Sequence, residues 1–319
     1  YFDEIIIDEV HRAGAESYLR VMDYFKPTFY LGMTASPDRT DSFNIYELFN
    51  NNIVYEVRLK EAMENDLLCP FHYFGISDLE IDGQPIDELS DFSKLYSDKR
   101  VNHIIDRINY YGYSGNRVKG LVFCSSKQEA KALSDEFNKR GFKTTSLTGE
   151  DSQEIREREV ERLVADSGDV LDYIFTVDIF NEGVDIPEVN QVVMLRPTQS
   201  AIVFIQQLGR GLRKSKDKVF VVIIDFIANY KNNFLIPVAL SGDNSYDKDT
   251  VRKFLSQGTR YLPGTSTIHF DEISKQRIYS AIDNVKLNTW IFIATEYSKL
   301  KNKLGRIPTY YDFENYDAL

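Results

Sequence analysis

The chain has 319 residues, enough for two or three compact domains, and its 43% hydrophobic content is that of a globular protein with a sizeable core. A formal net charge of −11 argues against a protein that simply coats nucleic acid. No apolar run approaches the roughly 18 residues a membrane-spanning helix needs, so no membrane partner is expected.

The acidity is uneven: residues 1–75 carry 6 Lys+Arg against 13 Asp+Glu, whereas residues 236–319 carry 11 against 10. An acidic body of this kind can still hold a phosphate backbone in a local groove. Cys69 and Cys124 lack partners at zinc spacing and read as reduced thiols of a cytoplasmic protein. The opening Tyr1-Phe2-Asp3-Glu4-Ile5 has no initiator Met and no signal-peptide pattern, and reads like a chain entered partway through.

Ile5-Ile6-Ile7 predicts a buried parallel strand ending in Asp8-Glu9. A helix over about 15–25, stopped near Lys26-Pro27, and a strand at Phe29–Met33 complete a βαβ unit. A short strand at Ile53–Val57, a helix around 58–66 and a strand at Phe71–Ile76 form a crossing segment, where a hinge is expected. Leu79–Ser90 is acidic, with Gly83 and Pro85, and reads as a surface excursion.

The βα alternation then resumes. Strands are expected at Gly120–Cys124, Lys143–Leu147, Asp172–Val177, Gln191–Leu195 and Val219–Ile224. Helices are expected at Lys127–Arg140, closed by Gly141, then at Ser152–Ala165 and Ser200–Leu208. Such alternation implies an α/β fold with a mainly parallel sheet and helices on both faces. Residues 241–249 read as a linker and 272–303 as mostly helical. Ile278, Ile282, Val285, Phe292 and Ile293 form one apolar stripe, with Leu287, Trp290, Ile291 and Ala294 beside it, so Trp290 is expected in the core. Lys299, Lys301, Lys303 and Arg306 read as a solvated helix end, and a short helix near Asp312-Phe313 leaves a helix-turn-helix-like unit open. His72, His103 and His269 are scattered and read as ordinary core or surface histidines.

Three clusters carry chemistry. Asp8-Glu9-Val10-His11 places two carboxylates at a strand end, one suited to Mg²⁺ and the other to an attacking water; taken alone, the pair would favour a cap for the helix that follows. Gln206-Gln207-Leu208-Gly209-Arg210-Gly211-Leu212-Arg213 puts two guanidiniums three apart on one helical face, a polyphosphate-binding arrangement or a solvated basic helix end. Thr176-Val177-Asp178 and Glu182-Gly183-Val184-Asp185-Ile186-Pro187 suit phosphate or ribose contact at a strand end, or a plain strand exit.

Taken together and in order, these segments resemble the motor motifs of superfamily 2 helicases, from residue 1 to about 226. Ile7–His11 is similar to motif II, Thr34-Ala35-Ser36 to motif III, and Val122–Ser126 to motif IV. Leu147-Thr148-Gly149 is similar to the element after motif IV, Thr176–Asp185 to motif V and Gln206–Arg213 to motif VI. The wording of the last two, with Leu195–Ser200, resembles the helicase subunits of restriction enzymes and bacterial defence proteins.

The resemblance implies two RecA-like parts: the end of a first domain over 1–70, a complete second domain over 71–235, and a C-terminal accessory region over 236–319. It implies ATP and Mg²⁺, with Asp8 as metal ligand and Glu9 as catalytic base. His11 and Gln206 would couple nucleotide to strand movement, and Arg210 and Arg213 would reach the γ-phosphate. Glu182, Gly183, Asp185 and Gly209 would contact nucleotide and sugar. Thr34 and Ser36 would link the ATP site to the nucleic-acid groove, Thr148 with the backbone near Ser125 would grip strand phosphates, and Thr176 is grouped with these nucleic-acid and coupling residues.

DNA is the expected partner, with RNA or DNA-repair chemistry, or nucleotide-independent binding, as alternatives. A nuclease domain or subunit is a further possible associate. No window fits the P-loop pattern G-x-x-x-x-G-K-[ST]: Gly115 and Gly120 have the glycine spacing, but Leu121-Val122 follow. The family's order places that loop before residue 1, so these residues alone are expected not to turn over ATP.

Overall fold

Strand β1 (Glu4–Ile7) pairs in parallel with β2 (Phe29–Gly32), Ile7 lying opposite Gly32, and helix α1 (Glu16–Tyr24) makes the crossover. In the computed structural model the described residues are all except 1, 35–43, 58, 82–83, 86–94, 178–185, 197–208, 210, 229, 242–246, 258–263, 285–289 and 315–319. They fall into two units, the first holding 2–57 with 290–314, the second the described residues between 59 and 284.

In the first unit, Val10, Ala13 and Ile45 are buried, with Ile7, Tyr18 and Phe49 packed on them. Gly32 permits this: a Cβ there would lie 2.5 Å from the Phe49 ring. The C-terminal helix α9 (Trp290–Leu304) belongs to this unit. Asn51 Nδ2 donates to the Asn302 carbonyl at 2.6 Å, and Lys303 pairs with Glu56 at 2.6 Å. The expected strand at Ile53–Val57 is absent: those residues have no regular structure, and Val54 and Tyr55 are exposed. Trp290 is 85% exposed, contrary to the core position expected from its stripe; Ile293 is also exposed, whereas Ile278 and Ile282 on the preceding helix are buried. The short helix α10 (Tyr310–Glu314) is present.

The second unit is built on a parallel sheet of seven strands among the described residues, in the order β11–β3–β10–β9–β6–β8–β7. The strands are β3 (Phe71–Ser77), β6 (Gly120–Phe123), β7 (Thr144–Leu147), β8 (Tyr173–Thr176), β9 (Gln191–Met194), β10 (Val221–Ile227) and β11 (Thr267–Phe270). A two-stranded hairpin, β4 (Glu80–Ile81) and β5 (Gln84–Pro85), lies outside it. Strands β6, β8, β9 and β10 are buried along their whole length, which explains their near-continuous apolar runs. Helices α2 (Leu59–Glu64), α3 (Asp98–Tyr111), α4 (Lys127–Lys139), α5 (Gln153–Val164), α6 (Leu235–Ser241), α7 (Lys248–Gln257) and α8 (Glu272–Asn284) complete the α/β unit. The first-unit and C-terminal helices α9 and α10 follow them in the chain.

Local chemistry sets these boundaries. Ser126 accepts from the Glu129 N–H at 3.1 Å and Ser152 from the Ile155 N–H at 3.3 Å, starting α4 and α5 with side-chain caps. Helix α3 ends at Gly112, whose φ is +64°, and Gln191 from β9 satisfies its last carbonyls by donating to Ile108 and Gly112. Val101, Ile104 and Ile108 of α3 and Ala130, Leu133 and Phe137 of α4 pack with Val122, Phe175, Val193 and Ile224 of the sheet. At roughly 1.5–3 kcal/mol per large buried side chain, this layer dominates the favourable side of folding.

A buried acid lies within the sheet. Asp225 on β10 stands opposite Gly75 of β3 and accepts from the Tyr73 hydroxyl at 2.5 Å. Burial pushes Asp225 up to about 7 although the Tyr73 hydrogen bond pulls the other way. Because its folded pKa lies above the unfolded value, the native state holds a proton that the unfolded chain releases. Asp225 therefore costs stability increasingly as pH rises from about 4 to about 7. Asp225→Asn is predicted to flatten that decline, its melting temperature exceeding wild type by more at pH 8 than at pH 5.

Candidate nucleotide and nucleic-acid site

In the first unit the Asp8-Glu9 pair sits on a turn held at both ends by one residue. Ile7 C=O accepts from the Met33 N–H at 2.9 Å, and the Val10 N–H donates to Met33 C=O at 2.9 Å. The chain between is pushed out at the C-terminal end of β1. Glu9 takes φ +49°, a left-handed conformation that costs a non-glycine residue roughly 1 kcal/mol or more. Its N–H donates to Asp8 Oδ1 at 2.9 Å, and the Asp8 side chain faces solvent. Thr34 directly follows Met33, so the clamp also fixes the start of the motif III-like segment. A groove of about 430 Å³ beside it is lined by Ile5, Ile7, Val21, Met22 and Asp8 among others; its apolar wall suits packing rather than a polyphosphate. His11 lies on the 3-10 turn Val10–Gly14, its side chain outside the described set; Ser36 falls outside it altogether.

In the second unit, Ser125, Thr148 and Thr176 all lie at the C-terminal ends of adjacent parallel strands, where open α/β sheets bind ligands. Hydrogen bonds knit that edge: the Cys124 N–H donates to Thr176 C=O and the Leu195 N–H to Phe123 C=O, both at 2.9 Å. The Ser125 N–H donates to Glu129 at 2.8 Å and its hydroxyl to Leu195 C=O at 3.4 Å. The Thr148 N–H and hydroxyl both donate to Asp151 Oδ2, at 2.7 and 3.1 Å. Thr176 is fully buried, and its hydroxyl has no hydrogen-bond partner among the described residues. Glu182, Gly183, Asp185, Gln206 and Arg210 lie outside those residues. Gly209 is half-buried and Arg213 exposed. Gly211 is in close contact: a Cβ there would meet Val221 at 3.0 Å and Val192 at 3.1 Å, so only glycine lets this segment lie directly on β9 and β10.

Sequence reading missed what supports Ser125. Arg100, with no solvent exposure, donates to Asp78 at 2.9 and 3.1 Å, to Glu129 at 2.9 Å and to Leu95 C=O at 2.7 Å. Glu129 thus holds the buried guanidinium with one oxygen and the Ser125 N–H with the other. Burial pulls the Arg100 pKa down, but Asp78 and Glu129 outweigh it and the net shift is upward. The one available signal was the Ser126-to-Glu129 spacing, which marks a helix start but not the arginine beneath it. Both thiols are buried, which pushes Cys124 well above the ordinary range and raises Cys69 as well.

Comparison with known proteins places this geometry. Residues 99–215 match the family described as helicase conserved C-terminal domain, and residues 1–39 that described as type III restriction enzyme, res subunit. These matches support a superfamily 2 helicase of the restriction-subunit branch. The chain is 26% identical over 259 residues to the type I restriction enzyme EcoAI endonuclease subunit of Escherichia coli, covering 71% of this chain and 32% of that protein. It is 28% identical over 236 residues to a Saccharomyces cerevisiae protein assigned as the ATP-dependent helicase IRC3, covering 70% and 34%. A solved fragment from Vibrio vulnificus YJ016, assigned as the HsdR subunit of a type I restriction enzyme, is 27% identical with a TM-score of 0.54, covering 70% of this chain and 43% of that one. The DNA-bound type ISP restriction-modification enzyme LlaBIII shares the fold over 98% of this chain and 26% of its own, with a TM-score of 0.55 at 17% identity. The chain spans about a third of the length of the E. coli and yeast relatives. No helix of the described residues is long and apolar enough to cross a membrane.

Arg100→Met strands two buried carboxylates and is predicted to cost about 3–5 kcal/mol of unfolding free energy. Combining it with Asp78→Asn and Glu129→Gln should recover part of that loss, measured by denaturant unfolding.

Proposed function

We propose that this chain carries the catalytic base and arginine fingers of an ATP-driven DNA translocase of restriction or defence type. The phosphate-gripping P-loop would come from sequence outside these 319 residues, none of which fit its pattern. The observation that carries the reading is the clamped Asp8-Glu9 turn, a strained carboxylate pair presented at a parallel strand's C-terminal end beside Thr34.

The donor set suits Mg²⁺ delivered with nucleotide. One Asp8 oxygen accepts the Glu9 N–H and the other can face a cation, and Mg²⁺ commonly takes one or two carboxylates plus phosphate oxygens. Bound Mg²⁺–ATP supplies the phosphoryl group and a screening charge. Asp8 would hold the metal, and Glu9 would orient the attacking water and take its proton. Arg210 and Arg213 would neutralise charge developing on the phosphoryl oxygens. Glu182, Gly183, Asp185 and Gly209 would contact nucleotide, while His11, Gln206, Thr34 and Ser36 would couple it to the strand. Ser125 and Thr148 would line the strand groove, with Thr176 buried at the strand end between them. Ser125 would act through the loop it anchors, since its N–H is already donated to Glu129.

The proposed organisation is the end of a first RecA-like domain over 1–70, a second over 71–235 and an accessory region over 236–319, in a cytoplasmic protein working with a nuclease domain or subunit. The EcoAI relative, an endonuclease subunit of a type I restriction enzyme, supports the restriction reading.

In the extended chain, P-loop included, Glu9→Gln should lower DNA-stimulated ATP hydrolysis by about 10²–10⁴-fold. Arg213→Ala should lower it by about 10³-fold, while the 319-residue chain alone shows no stimulated turnover. Turnover by the 319 residues that disappears in Glu9→Gln would refute this division of labour. Binding measured against salt should favour duplex DNA over RNA; tighter RNA binding at every salt concentration would select an RNA helicase instead.

A further inference from the structure

Lys218 is a lysine with only 8% of its surface exposed. Its ammonium donates to Val189 C=O and Gly211 C=O, each at 2.9 Å, and to Pro187 C=O. An ammonium has three N–H donors, and these three carbonyls match them. Charge-assisted bonds of this kind offset the cost of taking the cation out of water.

The three carbonyls come from two separate functional segments. Pro187 and Val189 follow Asp185 by two and four residues, at the exit of the motif V-like segment. Gly211 stands between Arg210 and Arg213 in the motif VI-like segment. The lysine is carried there by a tight turn: the Lys218 N–H donates to Ser215 C=O at 3.3 Å, and Ser215 and Lys218 form an isolated bridge. Its neighbours are fixed too. The Val219 N–H donates to Ser114 Oγ at 3.0 Å, and the Cys69 N–H takes the next carbonyl, Leu212 C=O, at 2.6 Å. Gly211 itself is pressed onto Val192 and Val221, so the segment's height above the sheet is set by packing and its lateral position by hydrogen bonds.

We propose that Lys218 is a positioning residue for nucleotide hydrolysis: its ammonium ties the exit of the motif V-like segment, at Pro187 and Val189, to Gly211 of the arginine-bearing segment, fixing the backbone that carries Arg213. This role rests on the ATPase reading above. Lys218 would act not on nucleotide but through the backbone of Pro187, Val189 and Gly211, next in sequence to the proposed nucleotide-contacting segments. Lys214 and Lys216, the charges that make this stretch look like a plain basic helix end, are exposed on the same turn.

The test uses Lys218→Met in the extended chain, which keeps side-chain length and removes every donor, with Lys216→Met as control. Two quantities are read: hydrogen exchange of the backbone over 186–190 and 209–213, and kcat and KM for ATP with DNA present. Exchange in both segments should rise at least about tenfold, with β6 and β8 unchanged, because charged hydrogen bonds are the stronger class. The kcat should fall at least about tenfold with KM for ATP within about twofold, as for an interaction needed in the transition state. Lys216→Met should change neither.

Unchanged exchange in the two segments overturns the proposal, whatever the ATPase rate. So does exchange that rises equally through β6 and β8, which would make Lys218 a general prop of the fold. Locally raised exchange with wild-type kcat overturns the positioning role. If the unsubstituted extended chain hydrolyses no ATP, the ATPase reading fails and the positioning role falls with it, while exchange still decides whether the tie exists.

Discussion

In a parallel sheet every strand ends at the same edge, and that constraint organises the second unit. Because β6, β7 and β8 run the same way, Ser125, Thr148 and the buried Thr176 lie at neighbouring strand ends although about 50 residues separate the first from the last. The same rule acts in the first unit, where the β1–β2 pairing brings Asp8 and Thr34 out together, with Met33 bonded to both sides of the acidic turn. Within each unit the candidate residues are therefore brought together by strand direction, not sequence proximity.

Strand ends alone do not fix a loop. Two buried cations do so here, in different ways. Arg100 shares itself between Asp78 and Glu129, and Glu129 passes the constraint to the Ser125 backbone. Lys218 bonds only to backbone carbonyls among the interactions described above, gathering Pro187, Val189 and Gly211. Both cations cost desolvation that a purely apolar core would avoid. What they add is direction, since a hydrogen bond fixes an angle and a distance where an apolar contact tolerates sliding. Left-handed backbone at non-glycine residues falls at Glu9, beside Asp8, and also at Asn50, Asn51 and Asp66, whereas Gly112 and Gly141 take positive φ at helix ends where glycine does so without strain.

The interior strands were legible in the sequence because burial on both faces demands unbroken apolar runs, as in Leu121-Val122-Phe123 and Val222-Ile223-Ile224. Helix α4 was legible from its close at Gly141. Other elements were hidden for identifiable reasons. Helix α3 buries Arg100 on its inner face, so its apolar stripe is interrupted by a charge. Strand β11 is a four-residue edge strand with His269 exposed, too short to give a period. Ile53–Val57 has β-forming residues but no partner strand, and Trp290 has helical spacing but no surface covering it among the described residues. Arg100 and Lys218 could not be found from sequence spacing, because their partners lie as far as 31 residues away and in Lys218's case are backbone atoms.

The most direct test of the account is displacement of a third strand from a triplex by the extended chain, P-loop included, moving along duplex DNA. Displacement that requires ATP and is lost in Glu9→Gln is the predicted result. No displacement and no DNA-stimulated hydrolysis, with ATP-dependent unwinding of RNA in its place, would contradict it.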